Sequence, residues 1–187
     1  MLLTATRFLF ALAFLLLLNG TLFAQGTLSR LDEQNGWQHA TFEQPITTFE
    51  HLIGTNCSTA EGPAVSCYTR STDTLKLGSA TLENIQYTFY NQSLAAITVT
   101  LKGTKNIAAF CGTLQEAYGI GTPSDEGPGA VEWHGEQVHM AYTLLPGSGK
   151  YEPVLRLVLR SKTQMARYQA DQLVAQRGAP KREGQEN

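Results

Sequence analysis

The chain has 187 residues, with 14 Lys and Arg against 16 Asp and Glu, for a formal net charge of −2. That balance offers no clustered basic footprint, so neither nucleic acid nor an anionic membrane surface is expected as a partner. The length is that of one ordinary domain, enough to bury a core without staples.

Residues 1–24 have the form of a removable secretory signal. One positive charge, Arg7, precedes an apolar run from Phe8 to Leu18, and Asn19-Gly20 ends that run. Leu22-Phe23-Ala24 then supplies a small residue at the cut, and cleavage is expected before Gln25. The apolar run is too short to cross a bilayer of about 30 Å as a helix. The first cysteine is Cys57, so no lipid anchor is expected at that cut. Losing Arg7 takes the net charge from −2 to −3. The reading is a periplasmic or secreted protein without a membrane anchor. An extended segment over 25–39 leads into a single globular domain over 40–177.

Pro45 suits the first turn of a short helix on which Ile46, Phe49 and Ile53 form one stripe, ended by Gly54. Cys57 and Cys67 flank a Gly-Pro turn and are expected to bridge in an oxidising compartment, leaving Cys111 as a buried thiol. Ile85, Tyr87 and Phe89 alternate with polar positions, and Ala95, Ile97, Val99 and Leu101 continue that face beyond Asn91-Gln92-Ser93. The loop length pairs Phe89 with Ala95, Tyr87 with Ile97, and Ile85 with Val99. Ile107, Phe110, Cys111, Leu114 and Tyr118 recur at helical spacing over 105–118, with Thr104 as N-cap and Gly119 as the left-handed stop. Leu155, Leu157 and Leu159 alternate with Arg156, Val158 and Arg160 in a final strand. A last helix over 162–177 follows, with Ala166, Ala170, Leu173 and Val174 on one side. The tail 178–187 has no large apolar residue and is expected to be disordered.

Residues 46–68 align without a gap on 111–133, placing Gly54 on Gly119, Glu61-Gly62-Pro63 on Glu126-Gly127-Pro128, and Tyr68 on Trp133. The resulting order predicts an α+β fold built from a duplicated α-β-β-β unit, about 45–103 and 104–161, plus the C-terminal helix. Its antiparallel sheet is expected to carry the helices on one face. In element order this resembles the β-lactamase inhibitor protein and the small outer-membrane assembly lipoproteins. It lacks their paired helices and the lipoprotein cysteine, so no function is carried over.

The densest chemistry lies between Glu132 and His139. Taking Gly135-Glu136 as a two-residue turn pairs His134 with Gln137, Trp133 with Val138, and Glu132 with His139. Val131, Trp133, Val138 and Met140 then face the core, while Glu132, His134, Gln137 and His139 gather opposite. Two imidazoles and a carboxylate suit a zinc-type ion or acid–base chemistry. Zinc sites usually draw ligands from beyond one hairpin and need supporting groups, so the preferred reading is a solvated polar face with no metal and no cofactor. Arg156 and Arg160 extend that face as an anion-binding surface if the last strand lies beside the one carrying His139. No Gly-x-Ser-x-Gly elbow, His-Glu-x-x-His or phosphate loop occurs. The sequence therefore reads as an exported, non-catalytic binding or interaction module for a protein or small molecule. The alternative is a small metal-dependent enzyme using Glu132, His134 and His139.

Overall fold

A computed structural model describes residues 28–57, 62–125, 127, 129–147 and 150–178. The expected signal and the tail beyond residue 178 lie outside them. A helix, α1, covers residues 28–34. A first group of strands follows: β1 (Gly36–Trp37), β2 (Ala40–Thr41), β3 (Leu52–Thr55), β4 (Val65–Arg70), β5 (Lys76–Leu77), β6 (Ala80–Thr81), β7 (Asn84–Tyr90) and β8 (Ser93–Lys102). After α2 (Thr104–Tyr118) come β9 (Thr122–Pro123), β10 (Val131–His134), β11 (Val138–Leu145), β12 (Val154–Ser161) and α3 (Lys162–Gly178). Among the described residues no helix is long and apolar enough to cross a membrane.

The fold is α+β around one eight-stranded antiparallel sheet of order β3-β4-β7-β8-β12-β11-β10-β9. Two meanders meet where β8 pairs with β12, Leu101 opposite Leu155 and Ile97 opposite Leu159. Strand side chains alternate between faces, so this register gives each face its own chemistry. One face carries Tyr87, Ile97, Val99, Leu157, Leu159, Met140 and Trp133, all buried in the core cluster. Phe110 and Leu114 of α2 and Leu31 of α1 close over it, each 1% exposed or less. Full burial of such a side chain contributes about 1.5–3 kcal/mol, so this stripe anchors α2. The other face carries Thr88, Ala96, Thr98, Arg160, His139 and Glu132. Met165 and Tyr168 of α3 lie against Thr88, Ala96 and Arg160 on that side, with the Tyr168 ring 5.3 Å from that of Tyr90. The helices thus pack against the sheet from both sides.

Several expectations change in detail. Residues 28–34 are helical where an extended segment was expected, because burying Leu31 gives this helix an anchor. The predicted helix near 46–54 is a single 3-10 turn, Ile46–Thr48, and Leu52–Thr55 pairs with β4 instead. The backbone of β4 offers Leu52–Thr55 a ladder, and Ile53 ends up exposed. The duplicated α-β-β-β unit is accordingly not confirmed. The predicted pairs Tyr87–Ile97 and Ile85–Val99 are present, but a bulge between Thr88 and Phe89 moves Phe89 opposite Leu94. The turn shortens to Asn91-Gln92, both at positive φ (47° and 66°), which matches a two-residue hairpin. α2 starts as expected, except that Gly103 rather than Thr104 occupies the N-cap; Gly119, at φ 77°, ends it. In α3 the side chains of Leu173 and Val174 face solvent, while Gln164 is buried. Cys57 and Cys67 are bridged with Cα atoms 5.2 Å apart, and Cys111 is free and half-buried.

Candidate functional site

The hairpin of β10 and β11 is built one residue later than its sequence suggests. His134 pairs with His139, Trp133 with Met140, and Glu132 with Ala141, so the turn falls on Glu136-Gln137. The cause lies about a hundred residues upstream. The Asp32 carboxylate accepts from the backbone N–H groups of Glu136 (2.6 Å), Gln137 (2.8 Å) and Val138 (3.0 Å). Gly135 is needed for this approach, since a Cβ there would lie 2.3 Å from the Asp32 Oδ1. The Lys162 ammonium closes the other side by donating to the Gly135 carbonyl. Moving the turn by one residue moves each partner by two, so the side-chain faces survive. Trp133 and Met140 stay in the core, and Trp133 donates its indole N–H to the Gly119 carbonyl at 3.1 Å.

On the opposite face three side chains converge. The Glu132 carboxylate receives His134 Nε2 on Oε1 at 3.0 Å and His139 Nε2 on Oε2 at 3.2 Å. The two imidazoles stack, with centroids 4.6 Å apart and planes 23° apart. His134 and His139, joined by the Ser124 hydroxyl, hold the Glu132 carboxyl far down, at about 2. Burial pushes His139 below the ordinary imidazole value of 6.5; Glu132 opposes that shift, and the positive fields of His134 and Arg160 reinforce it. At neutral pH the face therefore presents a carboxylate beside a neutral His139. His134 is the more open of the two rings, its side chain 54% exposed against 18% for His139.

Of the other expected residues, Arg160 pairs directly with His139 across β11 and β12. Arg156 pairs with Thr143, four positions along the strand from Arg160, or about 13 Å at strand rise. The last strand thus lies beside the one carrying His139, as the expected surface required, with both arginines on that face. Gln137 sits in the turn, its N–H taken by Asp32. An open groove of about 630 Å³ runs between α1 and the hairpin tip, lined by Asp32, Glu33, His134, Glu136 and Gln137 among others. A second groove of about 330 Å³, on the α2 side, is lined by Arg30, Trp37, Leu114 and Tyr118 among others. Sequence reasoning missed Asp32 and Ser124. Both act across long or irregular connections, and Asp32 carries only the signal of a helix whose Leu28 and Leu31 seek a core.

No family model matches this chain, and neither a characterised protein nor a solved structure matches it.

Proposed function

We propose that this chain is an exported binding module that takes its ligand on the polar face of β10, β11 and β12. The observation that carries this reading is the convergence of Glu132, His134 and His139 on one face, with Arg160 paired beside His139. The fold spends the opposite face of the same strands on its core, and α3 lies against the Arg160 end of this one, so the part left for contact is that around Glu132 and the exposed His134. Export is supported by the sequence of the first 24 residues and by the Cys57–Cys67 bridge, which suits an oxidising compartment. The adjoining groove reaches His134 but not His139. That supports surface binding over catalysis, because an enzyme using both imidazoles needs them together in a site that excludes water.

The test is backbone amide NMR with a fixed panel: zinc chloride, inorganic phosphate, succinate and lysine. Saturable shifts are expected at residues 131–134, 139–143 and 156–161. Shifts confined to residues 30–38 and 113–118, or none with any member, refute the reading.

A further inference from the structure

We propose that Glu132, His134 and His139 form a site for one divalent transition-metal ion of the zinc class. The proposal rests on the reading that this face binds ligands, and it names the ligand. Both Nε2 atoms already address one carboxylate, at 3.0 and 3.2 Å, and the three donor atoms all lie within 4.8 Å of one another. A tetrahedral ion with bonds of about 2.0–2.1 Å wants its donors about 3.4 Å apart. The two contacts fall on different carboxylate oxygens, so whichever oxygen binds, one separation is already near its final length. The longest has to close by at most about 1.4 Å, within the swing of an exposed His134 side chain.

The donor chemistry selects the ion. Two imidazoles and one carboxylate suit zinc, nickel and copper(II), whereas magnesium and calcium require cages of oxygen. The supporting groups that the sequence did not promise are present. Ser124 bonds to the Glu132 carboxylate, and Asp32 with Lys162 fixes the hairpin that spaces the two histidines. Such outer contacts set ligand direction and normally govern affinity by about 10–100-fold. Three protein donors leave the fourth position of a tetrahedral ion open to water or to an anionic group. The single carboxylate leaves the loaded site positive, and Arg160 across from His139 adds to that field, so an anion is the favoured fourth ligand.

Untagged, chelator-stripped protein is titrated calorimetrically with zinc chloride, with magnesium chloride as the control. The expected result is one zinc per chain with a micromolar or tighter dissociation constant, and no magnesium signal. Glu132→Gln and His139→Ala should each weaken zinc at least about tenfold, with melting curves showing that both variants fold. Absence of saturable zinc binding up to about 100 μM overturns the site. So does undiminished affinity in the double variant His134→Ala with His139→Ala. If zinc fails while phosphate or succinate still shifts residues 131–143, the metal proposal falls and the binding reading stands. If no panel member shifts that face, both fall.

Discussion

Replacing Asp32 with alanine tests the link between α1 and the hairpin tip. Of the three N–H groups it serves, those of Glu136 and Gln137 are exposed and will rehydrate, while that of Val138 is partly buried. Orphaning a buried donor costs about 1–3 kcal/mol, and each exposed charge-assisted bond adds about 0.5–1 kcal/mol. The expected loss is about 2–5 kcal/mol, read from urea unfolding midpoints at unchanged slope. Asp32→Asn keeps one acceptor but turns an amide donor toward a backbone donor, and should cost about half as much. Gly135→Ala attacks the same contact from the other side, because its Cβ would lie 2.3 Å from the Asp32 Oδ1. Combined with Asp32→Ala it should cost clearly less than the sum, since the clash partner is gone. A loss below about 0.5 kcal/mol for Asp32→Ala would show that the carboxylate does not hold the turn, and the account of the shifted register would fail with it.

Trp133→Ala removes a ring that is 5% exposed and should cost about 3–5 kcal/mol in the same assay; a change under about 1 kcal/mol would put the ring at the surface. Thiol counting on denatured, unreduced protein should find one thiol, that of Cys111, and three would remove the bridge. Cys67→Ser should lose about 2–3 kcal/mol by reopening the loop. In NMR titrations His139 should lose its proton with a midpoint below 6.5, and Glu132→Gln should lower that midpoint further, because the carboxylate raises it. With its folded value below its unfolded one, His139 costs stability as pH falls from 6.5 through that folded value; Glu132 does so later, between 4.5 and about 2. A His139 midpoint at or above 6.5 would contradict the burial of that ring.

What the sequence revealed follows the reach of each interaction. The stripe of Ile107, Phe110, Leu114 and Tyr118 needs no knowledge beyond a 3.6-residue period, and all four are buried. Parity alone put Glu132, His134 and His139 on one face, because a face survives any turn that moves by a whole residue on both strands. The turn itself was misplaced because Asp32 lies 104 residues from Glu136, beyond any local pattern. Residues 46–54 show local propensity losing to tertiary pairing: the helical spacing of Ile46, Phe49 and Ile53 is real, yet β4 recruits Leu52–Thr55 into the sheet. In α3, Leu173 and Val174 made an inviting apolar side, but the sheet meets Gln164, Met165 and Tyr168.

The tie between Asp32 and Val138 spans 106 residues, and this orders events for a chain that emerges from its N-terminus. Asp32 has none of its three N–H partners until β10 and β11 have followed it out. Leu31 belongs to the core cluster that includes Trp133, Val138 and Met140, so its burial is complete only when they are in place. The two meanders, by contrast, close mostly on near neighbours in sequence and can form as they appear. The Asp32 clamp is thus a long-range closure, among the last contacts able to form. Until it forms, the hairpin tip, with Glu132, His134 and His139 just beneath it, lacks the clamp that fixes its register.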